Sequence, residues 1–234
     1  MNDAALLSSV LADTETAATV FSTSPEAAVA HCPGWTITDL VDHHGSVLRW
    51  AAAIVRTGEA VVEQFTSPVG HDYRRRWYID AADEFVATVS KSDRDRDCWT
   101  FGLPPGRVWF WIRRQAVEAA VHRWDAEFAI GSAIDLPSDL SCLGITEVVE
   151  DLFPRQVALG RTAALSCGVE LRAEDVDQKW MLSESTDATG VVVEAPASVL
   201  ALLLWQRVAL DDQRIRFIGS DRVRAELSAV RFAP

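Results

Sequence analysis

The stretch Arg113–Phe128 constrains this chain more than any other. It contains no Gly or Pro, its apolar residues recur at helical spacing, and Glu118 stands four positions before His122. On an α-helix, positions i and i+4 lie one above the other on the same face. A carboxylate and an imidazole are thus stacked one turn apart, which is how one helix offers two ligands to one divalent ion. The same pair occurs on many helices as an ordinary surface contact. Its setting among Val117, Val121, Trp124 and Phe128 favours the ligand reading, because unpaired polar groups among apolar neighbours are costly.

Upstream, Leu6, Leu7, Val10, Leu11, Ala17, Ala18 and Phe21 recur at helical spacing and predict a first helix over about Asp3–Phe21. Cys32-Pro33-Gly34-Trp35 signals a turn, and Thr36 with Asp39 three residues later reads as a capped helix start. The second helix runs from Ile37 to about Arg56, with Gly58 as its stop. It carries adjacent histidines, His43 and His44. Periodicity puts His44 nearer the middle of the apolar stripe and His43 on its shoulder, which leaves both open as ligands.

A polar connection through Ser67-Pro68-Val69-Gly70 leads to a third helix over about Arg75–Ser90, and a fourth spans about Val108–Ala129. Four helices of this length suggest a four-helix bundle, whose core is where facing helices assemble metal sites. Past Gly131 the texture changes. A helix is expected within Pro137–Gly160, strands at Val169–Arg172, Gln178–Leu182, Val191–Val193 and Ile215–Ile218, and helices over Pro196–Leu210 and Asp221–Val230. The expected organisation is a bundle domain over residues 1–133 and a smaller α+β domain over residues 134–234.

The chain of 234 residues has a formal net charge of -12, which disfavours nucleic acid as a partner because phosphate binding needs an excess of Lys and Arg. The one basic run, Arg74-Arg75-Arg76, reads as a solvated helix start or an anion-binding corner. No apolar stretch is long enough to span a membrane, and the start Met1-Asn2-Asp3-Ala4 lacks the basic opening of a signal peptide, so the expected location is the cytoplasm. Cys32, Cys98, Cys142 and Cys167 form no C-x-x-C pair and are expected as reduced thiols. Arginine far outnumbers lysine, which occurs only at Lys91 and Lys179, and alanine is abundant; this points to a GC-rich genome.

The leading constellation is a three-ligand site of His43, Glu118 and His122. Two imidazoles and a carboxylate leave at least one coordination position open, as in catalytic metal centres. At that position a metal can bind a thiol or water and lower its pKa. Zinc suits these ligands best, although other divalent transition metals are compatible. No G-x-S-x-G, G-x-G-x-x-G or Walker pattern is present. The nine tryptophans are most simply core residues.

Two segments carry a family resemblance. Cys32-Pro33-Gly34-Trp35-Thr36-Ile37-Thr38-Asp39-Leu40-Val41-Asp42-His43, followed by Val47, Arg49 and Trp50, resembles the N-terminal signature of the mycothiol-dependent maleylpyruvate isomerase family. Glu118-Ala119-Ala120-Val121-His122-Arg123-Trp124-Asp125-Ala126-Glu127 resembles its second signature, and Ala195-Pro196-Ala197 with Leu202-Leu203-Leu204-Trp205-Gln206-Arg207 is similar to its C-terminal domain.

The resemblance implies a DinB-like four-helix bundle with a divalent metal, usually zinc, on two His and one Glu, and a smaller α+β C-terminal domain. It assigns the ligands to His43, Glu118 and His122, choosing His43 over His44. Two positions depart from the family pattern: His44 stands where an apolar residue is usual, and Val117 where a His often precedes the Glu. His44 is therefore a possible competitor for His43. The resemblance further implies mycothiol, the low-molecular-weight thiol of actinobacteria, as cosubstrate. The expected activity is isomerase or S-transferase, with a metal-held thiolate attacking a small electrophilic substrate. Arg207 is the candidate to hold an acidic group of that substrate by bidentate hydrogen bonds. The alternatives are a non-catalytic metal-binding or regulatory protein on the same fold, and a metal-dependent hydrolase using bound water.

Overall fold

The structure, a computed structural model, describes residues 1–102, 104–182 and 191–233. They divide into two compact units, Met1–Ile134 and Asp135–Pro234.

The first unit is built on α1 (Asp3–Thr23), α2 (Ile37–Thr57), α3 (His71–Val89) and α4 (Val108–Ala129). α1 packs on α3 and α4, and α2 packs on the same two, so the helices run round the bundle in the order α1, α3, α2, α4. Leu6, Phe21, Ile37, Leu40, Leu48, Ile54, Tyr78, Phe85 and Trp111 are fully buried between them. The expected start of α2 is present as a complete capping box: Asp39 N–H donates to Thr36 Oγ1, and Thr36 N–H donates to Asp39 Oδ2 at 2.8 Å. α2 ends at Gly58 in the left-handed region, φ 80°, where a side chain would be strained. Gly45, in the middle of α2, has a different reason: a Cβ there would lie 2.3 Å from the Trp77 ring, so glycine is what lets α3 approach.

α3 starts at His71, four residues before the expected Arg75. Its N-cap position is Gly70, which supplies no side-chain cap and therefore no signal of where the helix starts. The three arginines of the basic run are all engaged: Arg74 with Asp42, Arg75 with Glu15 and Arg76 with Asp80. α4 departs from simple amphipathicity, since nineteen of its residues, Arg113, Arg114, Glu118, Arg123, Asp125 and Glu127 among them, are buried. Two of its charged pairs are internal to the helix at i, i+4, Arg114 with Glu118 and Arg123 with Glu127. Phe128, expected among the apolar residues around the ligands, is 43% exposed and stacks on Trp124.

The second unit opens with α5 (Ser138–Glu147), a π-helical segment (Val148–Leu152) and α6 (Phe153–Ala158), where the sequence suggests one helix. The strands β1 (Val169–Ala173), β2 (Lys179–Leu182), β3 (Val191–Ala195) and β4 (Arg216–Ile218) form one sheet in the order β2-β1-β3-β4. β1 and β3 are parallel, and the edge strands are antiparallel to their neighbours. Val169, Leu171, Ala173, Val191, Val193 and Ala195 are buried in strict alternation, the mark of a sheet with one covered face. α7 (Ala197–Leu204) packs on β1, β3 and α5, and α8 (Asp221–Ala229) closes the chain.

α7 stops at Leu204, well short of the expected Leu210. Gln206 adopts φ 59°, its N–H bonds to Leu203 O, and Arg207 N–H reaches back to Leu202 O. This is a Schellman stop with glutamine in the position glycine usually takes. Among the described residues no helix is long and apolar enough to cross a membrane, and no cysteine is in a disulfide.

Candidate metal centre

Two helices of the bundle supply the site. α2 presents the adjacent His43 and His44, whose ring centroids lie 5.5 and 5.4 Å from that of His122 on α4, and the two differ in depth and in their other partners. His44 is fully buried, and its Nδ1 lies 2.7 Å from Tyr78 Oη on α3. His43 is 39% exposed at its side chain and faces α4. Its ring rests against Trp35, 4.9 Å between centroids, so the turn before α2 helps to fix its orientation.

On α4, Glu118 and His122 stack one turn apart as their spacing requires. Glu118 Oε1 lies 3.8 Å from both His43 Nε2 and His122 Nε2, and one ligand atom from each of the three residues falls within 4.8 Å of the others. These separations are too long for hydrogen bonds. They are close to the ~3.3–3.5 Å between donor atoms around a tetrahedral zinc with bonds of about 2.0–2.1 Å. The three residues therefore fit a divalent ion: donors of the right type converge and are not consumed by one another. His44 Nε2 is not part of this group.

The surrounding groups hold these donors in place. His122 Nδ1 lies 3.2 Å from Asp125 Oδ2, leaving Nε2 to face Glu118. A carboxylate on the far nitrogen of a histidine fixes its tautomer and strengthens it as a ligand. Asp125 is fully buried at its side chain, and His31, from the turn between α1 and α2, approaches its other oxygen at 3.9 Å. Glu118 Oε2 accepts from Arg114 Nη2 at 3.1 Å, which leaves Oε1 for the two histidines. Burial opposes ionisation of Glu118, but Arg114, His122 and His43 outweigh it and hold the carboxyl well below the usual range. Burial likewise disfavours a charged His122, yet Asp125 and Glu118 prevail and raise its pKa. His44 shifts the other way: burial, reinforced by repulsion from His122, holds it well below the ordinary value, so it is a neutral imidazole.

The sequence-predicted residues His43, Glu118 and His122 thus come together. Arg207 lies in the second unit, on the turn after α7 and not on a helix, where its Nη1 donates to Trp205 O at 2.7 Å. Asp125, Arg114, Tyr78 and His31 were not singled out from sequence. Asp125 and Arg114 did carry a signal, one at i+3 from His122 and the other at i−4 from Glu118; Tyr78 and His31 carried none.

The description "Mycothiol maleylpyruvate isomerase N-terminal domain" belongs to the family that matches residues 9–127, a span holding His43, Glu118 and His122. Among solved structures, a crystal structure of the mycothiol-dependent maleylpyruvate isomerase is similar, with TM-score 0.63 and 14% identity. A histidine-to-alanine mutant of the mycothiol-dependent maleylpyruvate isomerase gives TM-score 0.67 and 12% identity. In both comparisons 94% of this chain and 95% of the other are covered. At such identities the likeness concerns the fold. No curated protein sequence matches significantly.

Proposed function

Since the chain belongs to the mycothiol maleylpyruvate isomerase family, we propose that it is a metal-dependent enzyme using mycothiol as cosubstrate, an isomerase or S-transferase acting on a small electrophile. The observation that carries this reading is the convergence of His43, Glu118 and His122 inside the matched span. These three residues would hold the ion, with zinc the best fit to two imidazoles and a carboxylate. When bound, the metal would lower the pKa of a thiol and keep it as a thiolate near neutral pH.

The protein's own residues account for the rest of the site. Arg114 keeps Glu118 ionised and turned so that one oxygen is available. Asp125 keeps His122 Nδ1 occupied and Nε2 directed inward. His43 supplies the half-exposed side of the triad, from which a small molecule gains access. The chemistry requires a C–S bond to form between the thiolate sulfur and an electrophilic carbon. If that carbon belongs to an activated double bond, addition leaves a single bond about which the substrate rotates, and elimination restores the double bond and the thiol. Without elimination the product retains the thiol. Arg207 is proposed as the residue that holds an acidic group of the electrophile.

The test is elemental analysis of the purified protein together with calorimetric titration of mycothiol into metal-loaded and metal-stripped samples. One metal per chain, with thiol binding only when loaded, is expected. The His122→Ala variant should lose stoichiometric metal, because Glu118 and one histidine make a poor site; full occupancy in that variant would refute the triad. Metal without thiol binding would favour the hydrolase.

A further inference from the structure

The connection between α2 and α3 passes beside the metal centre and forms one wall of a cavity of about 330 Å³. The opposite wall is α2 itself. Asp42, His43 and Ser46 line one side, and Phe65, Thr66 and Ser67 the other. His43 is thus shared between the ligand triad and this cavity.

Three observations indicate a site shaped for a ligand. The first concerns hydroxyls: Ser9, Thr16, Thr19 and Ser22 in α1 each donate to a carbonyl one turn earlier, the usual resting state of a hydroxyl within a helix. Ser46, in mid-helix, makes no such bond, and Thr66 has no hydrogen bond either among the described residues. Both hydroxyls are free to donate and accept within the cavity. The second concerns rigidity. Arg74 Nε lies 2.8 Å from Asp42 Oδ1 on one wall and 3.3 Å from Ser67 Oγ on the other, so one guanidinium ties the two walls together.

The third concerns charge. The lining contains a carboxylate, Asp42, and no Lys or Arg. Arg74 balances that charge, so the cavity is close to neutral, and a neutral group bearing hydroxyls finds a carboxylate acceptor, hydroxyls that both donate and accept, and the apolar ring of Phe65. The volume is at the lower end of the ~300–1,000 Å³ typical of small-molecule sites, suited to a ring-sized group.

We propose that this cavity is a polyol subsite, in which Ser46, Thr66 and Asp42 bind the hydroxyl-rich, non-thiol part of the cosubstrate. The assignment rests on the thiol-dependent reading above. In mycothiol the hydroxyl-rich part is a sugar joined to a cyclitol, and N-acetylcysteine is the corresponding thiol without it.

The experiment compares these two thiols by calorimetry on metal-loaded wild type and the Ser46→Ala/Thr66→Val double variant. A Thr66→Trp variant, which fills the cavity from its exposed wall, tests the same subsite by occlusion. Metal content is measured on every sample. Loss of two hydrogen bonds should weaken mycothiol binding about tenfold or more in the double variant. N-acetylcysteine affinity should stay within twofold, and Thr66→Trp should show the same selective loss. Unchanged mycothiol affinity in both variants, or an equal loss for both thiols, would overturn the subsite while leaving the thiol reading intact. A metal-loaded wild type that binds neither thiol would overturn the thiol reading and the subsite with it.

Discussion

Removing one oxygen atom, with Tyr78→Phe, is expected to destabilise the bundle by about 1–3 kcal/mol without loss of metal. Tyr78 and His44 are both fully buried, with Oη and Nδ1 2.7 Å apart. Burial pushes the Tyr78 phenol well up and holds His44 neutral, so the contact joins two uncharged groups in a dry interior. His44 Nε2 already has no hydrogen-bond partner among the described residues. Tyr78→Phe therefore leaves an imidazole with neither nitrogen bonded, and the penalty is desolvation with nothing to offset it. The companion variant His44→Leu leaves the phenol with the buried Thr14 hydroxyl as its remaining neighbour. The double variant puts two apolar groups in contact and should be destabilised by at least ~1 kcal/mol less than the sum of the single changes, since replacing both partners avoids the stranded group. The assay is urea unfolding of metal-stripped samples followed by tryptophan fluorescence, where a loss of ~2 kcal/mol moves the midpoint by roughly 1 M. Tyr78→Phe unfolding at the wild-type midpoint, or strictly additive single effects, would refute the argument that His44 is a structural core residue tied to α3.

The same division of labour predicts that His43→Ala loses stoichiometric metal whereas His44→Leu retains one ion per chain, as read by elemental analysis; the reverse would make His44 the ligand. Asp125→Asn leaves the three ligands in place but weakens the group orienting His122, so metal affinity measured by chelator competition should fall ~10–100-fold with one ion still bound at saturation. Asp13, paired with Arg123 at 3.0 Å and only 16% exposed at its side chain, has its pKa raised to about 6, chiefly by burial. A folded-state pKa above the unfolded value contributes stability below about pH 4 that is lost as pH rises through 6, here up to ~3 kcal/mol. The unfolding midpoint of Asp13→Asn should consequently gain on wild type between pH 4 and pH 7, and a constant difference across that range would count against a buried, protonated Asp13.

How far the sequence could be read depends on what kind of signal each feature leaves. α2 was legible at both ends because Thr36 with Asp39 and the left-handed Gly58 are chemical markers of a start and a stop. The start of α3 is not legible, because its glycine N-cap carries no side chain to mark it. The end of α7 is not legible, because glutamine, not glycine, takes the left-handed position, a conformation that residue type does not advertise. The break of the 137–160 helix into α5, a π-helical segment and α6 likewise leaves no mark in periodicity.

The candidate metal centre shows where periodicity fails for a deeper reason. A hydrophobic stripe predicts which residues are buried only if burial follows polarity, and in α4 it does not, since Arg114, Glu118, Arg123 and Glu127 are buried as partners. On α2 the same logic ranked His44 above His43 as an inward-facing residue, and it is indeed the more buried. Depth of burial is nevertheless a poor guide to ligation. A catalytic ion needs donors that reach the interior from a side that a small molecule can approach, and His43, half-exposed beside the cavity and 3.8 Å from Glu118, meets that requirement. His44, deeper and already bonded to Tyr78, has the environment of a core residue. A histidine pair on one helix can be divided by this criterion only once the neighbouring helices are placed, because the distinguishing groups, Tyr78 on α3 and Glu118 on α4, lie far away in sequence.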